Sequence, residues 1–264
     1  MIPVVKGHAY GNDFLLVPLD ATRHSTGGTG ELARAMCHRH RGVGADGLIL
    51  YELTPQGATM SLLNADGSPS ELSGNGLRCL AALVARARNL AAGRTITVDT
   101  AAGSKSLELL AIDGARYTFR AALGLPTDIQ EVTIPVLGES VRATTLGMGN
   151  PQCVILGSLP DVDRFNRLGP ALSTHAMFPA GTNVEFAQVE SSDTVRIVIW
   201  ERGVGPTTSS GTGSSASAVA AAAHGGASRD VQVIAPGGTQ RVEWREDGVY
   251  LTGWAELVLD GSWM

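Results

Sequence analysis

Four local patterns in this chain of 264 residues occur twice, at nearly one separation. Gly11-Asn12 returns as Gly149-Asn150, 138 positions on. Gly44-Ala45-Asp46 returns as Gly181-Thr182-Asn183, and Ser73-Gly74-Asn75-Gly76 as Ser210-Gly211-Thr212-Gly213, each 137 positions on. At the same 137, Asn64-Ala65-Asp66-Gly67 falls opposite Glu201-Arg202-Gly203-Val204. One such match is chance. Four in one register point to two structurally equivalent halves, because a fixed internal period marks a repeated structural unit.

Each half has the same coarse content. In the first, residues 13–17, 48–51 and 60–63 are short β-like runs, and Ser73 to Gly76 opens an Ala/Leu/Arg-rich helix expected over 77–90. In the second, residues 182–189 and 194–200 alternate as strands do, and a polar run follows at 203–209. Ser210 to Gly213 then opens an Ala-rich helix at 214–224, which Gly225-Gly226 stops. That helix is small-residued all round, which predicts enclosure by other structure. The expected fold class is α+β, with two pseudo-symmetric lobes, each a curved, mostly antiparallel sheet around one central helix. The N-terminal lobe is expected over 1–120, with a tail at about 256–264 returning to it, and the C-terminal lobe over 121–255.

Apolar residues make up 44% and charged residues 17%, which supports packed cores and excludes global disorder. A net charge of −5 argues against a nucleic-acid partner, which would call for a basic face. The apolar run at 216–223, broken by Ser217, is too short to span a bilayer, so no membrane partner is expected. Three cysteines without a framework spacing, and an opening Met1-Ile-Pro-Val-Val-Lys6 without a signal pattern, predict a reduced, cytoplasmic setting.

The two Ser-Gly-X-Gly elements carry the chemistry. Each places a serine and glycines at a helix start, where free backbone N–H groups and the positive dipole end favour an anion. Taken singly, Ser73 and Ser210 are ordinary N-caps. As a pair in one repeat, they can serve one ligand and stabilise a carbanion or enediolate next to its carboxylate. Asn12, Asn64, Asn150, Asn183, Glu201 and Arg202 stand at strand ends or turns of both halves. Amides with a guanidinium suit a zwitterionic amino acid, which needs donors and acceptors together. Cys37-His38-Arg39-His40 lacks the second spaced ligand pair of a metal site. Gly203-Val204-Gly205 lacks the strand-to-helix setting of a dinucleotide fingerprint.

The chain resembles the diaminopimelate epimerase family. The matching stretches are Gly11-Asn-Asp-Phe14, Arg41-Gly-Val-Gly-Ala-Asp-Gly47, Asn64-Ala-Asp-Gly67, Gly74-Asn-Gly-Leu-Arg-Cys79, Gly149-Asn-Pro151, Phe178-Pro-Ala-Gly-Thr-Asn-Val-Glu-Phe186, Trp200-Glu-Arg-Gly-Val-Gly205 and Gly211-Thr-Gly213. The resemblance implies two lobes with a cleft, and cofactor-independent inversion of an amino-acid α-carbon in lysine biosynthesis. It implies that Asn12, Asn64, Asn150, Asn183, Glu201 and Arg202 hold the substrate, most of them at its distal end. The backbones of Gly74, Asn75, Gly211 and Thr212 would cradle the reacting carboxylate. No metal, pyridoxal phosphate or nucleotide is implied; a homodimer is left open.

Four positions depart from the family pattern. Ser73 and Ser210 stand where the family has a thiolate base and a thiol acid, Gln152 where it usually has His, and Pro206 where it usually has Glu. A thiol can be brought to neutrality at a helix N-terminus, whereas a serine hydroxyl remains un-ionised. Glu201 is then the nearest base candidate, beside Ser73 and Ser210 as the catalytic positions. Three explanations stay open: a natural relative with divergent chemistry or substrate, an engineered Cys-to-Ser trap, and a non-catalytic amino-acid-binding homologue.

Overall fold

The computed structural model describes residues 1–23, 27–70 and 72–264. The chain forms two compact units, one of Met1–Ala121 with Gly253–Met264, the other of Ala122–Thr252. In the first, β1 (Ile2–Ala9) and β2 (Asn12–Pro18) form a hairpin, and α1 (Gly28–Cys37) carries the chain to β3 (Gly47–Thr54), parallel to β2. β4 (Gly57–Asn64) is antiparallel to β3, and β5 (Pro69–Ser70) adds briefly to β4. α2 (Gly74–Ala87) then crosses to β6 (Thr95–Thr100), parallel to β4; β7 (Gly103–Asp113) and β8 (Arg116–Gly124) follow antiparallel.

The second unit repeats this order and these senses. β9 (Thr127–Val136) and β10 (Glu139–Gly147) lead to β11 (Pro151–Leu156), and α3 (Val162–Ser173) crosses to β12 (Asn183–Ser191), parallel to β11. β13 (Thr194–Glu201) returns antiparallel, with the short β14 (Gly205–Thr207) on it. α4 (Gly211–His224) crosses to β15 (Asp230–Ala235), parallel to β13, and β16 (Gly238–Arg245) and β17 (Gly248–Trp263) follow antiparallel. From Gly253 onward β17 belongs to the first unit and pairs with β1, as β9 pairs with β10 in the second. Parallel neighbours need a crossover, and each unit spends both of its helices on one.

Each unit has its core on its second helix. Leu80 and Val84 of α2 pack among Phe14, Leu16, Ile49, Leu62 and Phe119; Ala216 and Val219 of α4 pack among Val154, Ile197, Ile199, Val233 and Leu251. The enclosure expected of the Ala/Ser helix holds, since Gly213 through Ala221 are all buried. α1 and α3 cover separate smaller cores on the outer sheet faces. The first central helix ends at Ala87, three residues before the expected 90, because Asn89 takes a left-handed φ of 49° and Leu90 N–H turns back to Ala85. The polar run after Glu201 contains β14, which the sequence reading left as loop. No helix among the described residues is long and apolar enough to cross a membrane.

Candidate active site

Both Ser-Gly-X-Gly elements start a central helix. Ser73 Oγ accepts the N–H of Gly76 at 3.1 Å, and Ser210 Oγ accepts that of Gly213 at 3.1 Å. Each hydroxyl is thus an N-cap, and Ser210 Oγ also lies 3.5 Å from Thr212 Oγ1, where either oxygen can donate. Leu77 and Ser214 donate to the Ser73 and Ser210 carbonyls, which leaves the N–H groups of Gly74, Asn75, Gly211 and Thr212 without partners among the described residues. No heavy atom lies within 4 Å of where a Cβ on Gly74 would sit, so a ligand can approach that backbone. Neither helix carries an acidic residue in its first turn. At Gly211 a Cβ would meet Leu251 Cδ2 at 3.1 Å, so the α4 start is closer to its surroundings; both ends carry the positive end of the helix dipole, which favours an anion.

A chain of hydrogen bonds stands behind the α2 start. Asn75 Nδ2 donates to Asn12 Oδ1 at 3.2 Å, and Asn12 Nδ2 to Asp46 Oδ2 at 2.7 Å. Arg39 bridges Asp46 and Asp13, and Lys6 pairs with Asp13 at 2.9 Å. Burial of Asp13 opposes its ionisation, but Arg39 and Lys6 outweigh it and hold the carboxyl below its usual range. On the other side, Asn75 Oδ1 accepts from Arg78 at 2.5 Å. Arg78 is buried against the Tyr10 ring, with its guanidinium carbon 5.7 Å from the ring centroid; burial pulls its pKa down. Asn12 therefore spends its amide on orienting Asn75. Asn64 ends β4, exposed, with Nδ2 on Ser68 Oγ at 3.0 Å.

In the second unit, Gln152 and Asn183 are paired across β11 and β12, and Asn183 Oδ1 accepts the Arg202 N–H at 2.9 Å. That bond ties the turn after Glu201 to the start of β12. Arg202 is exposed, with one guanidinium nitrogen on the Ala180 carbonyl at 2.7 Å. Asn150 Oδ1 accepts from Gln152 Nε2 at 2.5 Å, so Gln152 holds Asn150. Gln152 Oε1 and Asn183 Nδ2 are buried without partners among the described residues. Burial pushes the Glu201 carboxyl up.

In the first unit Asn12 joins Asn75 at the α2 start, while Asn64 bonds within its own turn; in the second, Asn150, Gln152, Asn183 and Arg202 are linked to one another at the ends of β11, β12 and β13. Glu185, fully buried on β12, was not among the residues singled out from sequence. Cys37, Cys79 and Cys153 are buried free thiols, and burial pushes Cys37 and Cys79 up to about 12. No cluster able to hold a metal occurs among the described residues.

Residues 4–122 and 144–258 match the family model described as diaminopimelate epimerase. Over 277 residues the chain is 43% identical to the diaminopimelate epimerase of Desulforudis audaxviator, covering 98% of each. Among solved structures, a probable proline racemase from Agrobacterium radiobacter K84 shares the fold at a TM-score of 0.72 and 16% identity, covering 100% of this chain and 93% of that one. A hydroxyproline epimerase from Agrobacterium vitis shares it at 0.68 and 16%, covering 98% and 90%. With matched segments in both units and capped helix starts in both, the chain belongs to the diaminopimelate epimerase family.

Proposed function

We propose that the protein inverts, without a cofactor, the α-carbon of an amino acid that has a second amino-acid or carboxylate end, diaminopimelate being the reference substrate. The observation that carries this reading is the duplicated helix start: a serine hydroxyl that caps the helix, followed by two N–H groups without partners among the described residues, in each unit. Inversion takes a proton from one face of the α-carbon and delivers one to the other. Ser73 and Ser210 are the two groups assigned to these transfers. The N–H groups of Gly74, Asn75, Gly211 and Thr212 receive the reacting carboxylate and stabilise the negative charge that develops on it. Asn64, Asn150, Asn183, Glu201 and Arg202 grip the distal end, and Asn12 holds Asn75 in place.

The serine pair makes the chemistry divergent from a thiol mechanism. An alcohol is a poor base at neutral pH, and both hydroxyls already serve as caps; that observation favours, as a second reading, a protein that binds the amino acid without turnover. Incubation with diaminopimelate in deuterated water, followed by NMR, separates the two. Exchange of the α-proton with inversion is expected. Saturable binding with no exchange would leave only the binding reading.

A further inference from the structure

The two units have the same frame, so each serves as a control for the other. In the first, a Cβ on Gly76 would meet Ile49 Cδ1 at 3.0 Å and the Phe14 ring at 3.4 Å. In the second, a Cβ on Gly213 would meet Glu185 Oε1 at 2.7 Å and Ser210 Oγ at 3.2 Å. Strand register accounts for the correspondence. Ile49 lies between Leu16 and Leu62, and Glu185 lies between Val154 and Ile199. A carboxyl therefore occupies, in the second unit, the place that an isoleucine fills in the first.

Packing does not require that carboxyl. Glu185 has no exposed surface, and neither of its oxygens has a hydrogen-bond partner among the described residues. Buried polar groups are ordinarily satisfied, and one left without partners marks a site that is completed by something else. The carboxyl points at the first turn of α4, where only the absence of a side chain at Gly213 lets it approach. Its Oε1 is within about 6 Å of Ser210 Oγ, since both border the point where a Gly213 Cβ would sit.

We propose that Glu185 is a positioning residue for Ser210, holding the proton that restores the Ser210 hydroxyl after that hydroxyl has protonated the α-carbon. The proposal rests on the isomerase reading. In the step, the Ser210 O–H bond breaks as the C–H bond forms. The Glu185 O–H bond breaks as the Ser210 O–H re-forms, and the negative charge passes from the carbanion to the Glu185 carboxylate. Ser210 is suited to this, because one lone pair is engaged by Gly213 N–H and its hydroxyl has besides that only a long 3.5 Å contact with Thr212 Oγ1 among the described residues. The positive end of α4 favours the carboxylate that results. In the reverse direction the same groups take a proton away.

The surroundings keep Glu185 neutral at rest. Burial, and then the charge of Glu201 on β13, push its carboxyl well above the usual range. Cys153, next to Val154 on β11, is the other titratable neighbour; burial and then Glu185 push its thiol up. The first turn of α4 contributes no acidic residue, and α3, on the other face of β12, meets it through Leu168 and Leu172.

The test is Glu185→Gln, with Glu185→Ile as a second variant that copies the first unit. Both are expected to bind diaminopimelate within twofold of the parent by calorimetry, while α-proton exchange falls by about tenfold or more. The parent's exchange rate is expected to fall as pH rises through the Glu185 ionisation, and that limb is expected to vanish in both variants. An active parent whose Gln variant keeps both rate and pH profile would overturn the proton role alone. A parent that binds but shows no exchange would overturn the isomerase reading and the proton role together. If both variants unfold, the carboxyl is structural and the proposal is wrong.

Discussion

The environments of the two serine caps differ, and thiols placed there would report the difference. Consider Ser73→Cys and Ser210→Cys made separately. An unperturbed thiol titrates near about 8.5. A helix N-terminus in partly buried geometry contributes up to about 2 kcal/mol toward an anion, which is about 1.5 pK units. At position 73 nothing opposes this: the residue is half-buried, the neighbour across Gly76 is Ile49, and the Arg78 cation lies behind Asn75. A thiol there is expected near about 7. At position 210 the same helix effect meets deep burial, the Glu185 carboxyl across Gly213 being neutral. That thiol is expected to stay at or above about 8.5. At pH 7 the thiolate fractions then differ by about tenfold. The alkylation rate against pH reads both, and the native thiols do not interfere, because Cys37 and Cys79 are pushed up to about 12 and burial raises Cys153 as well. A thiol at 210 as acidic as the one at 73, or more so, would refute the argument that burial and Arg78 set the two helix starts apart. Combined in one chain, the substitutions are expected to raise α-proton exchange on diaminopimelate by about 100-fold, and each alone by much less, since inversion needs both a base and an acid.

Arg202→Ala is expected to weaken diaminopimelate binding by roughly 2–5 kcal/mol, if its guanidinium pairs with a desolvated carboxylate of the ligand; unchanged affinity in calorimetry would remove Arg202 from the grip. Asp13→Asn is expected to lower stability at neutral pH by about 1–3 kcal/mol, through loss of the ion pairs to Arg39 and Lys6. Because the folded Asp13 pKa is depressed, its contribution is present above the unfolded value of about 3.9 and lost as pH falls through the folded one. Denaturation curves of the two proteins should therefore converge only below pH about 4, and a gap that persists in acid would show that the loss is steric.

Much of the frame was legible because glycine and serine at chain reversals carry information that tertiary context does not override. Gly11 and Gly149 both take positive φ at the turns before Asn12 and Asn150. Ser73 and Ser210 both cap helices. The repeat located the strands next to these turns, β2 to β4 and β12 to β13. The strands between residues 95 and 136 carried no such marks. β7 and β9 have many exposed positions, so their apolar alternation is thin. β14 is only three residues long and is held by its pairing to β13, a long-range fact. Which polar groups spend their hydrogen bonds on one another, as Asn12 does on Asn75 and Asp46, is likewise set by contacts between distant segments.

Glu185 shows where local pattern misleads. Asn183-Val-Glu-Phe-Ala-Gln-Val189 alternates as a half-exposed strand does, and that period sends Glu185 to a polar face. Two helices cancel the inference: α4 covers the face that holds Glu185, and α3 covers the face that holds Val184 and Phe186. With both faces of β12 closed, alternation no longer separates inside from outside. The signal lies instead in the comparison of the folded halves. The 137-residue period sets Glu185 opposite Leu48, but the strand registers, Leu16–Ile49–Leu62 and Val154–Glu185–Ile199, put it in the place of Ile49. An apolar position in one copy of a repeat and a carboxyl in the other is a contrast that packing alone would not maintain, since the isoleucine shows that the space accepts a hydrocarbon. The asymmetry falls beside one of the two serines, and inversion is the reaction class that needs its two faces to differ, one giving a proton and the other taking one.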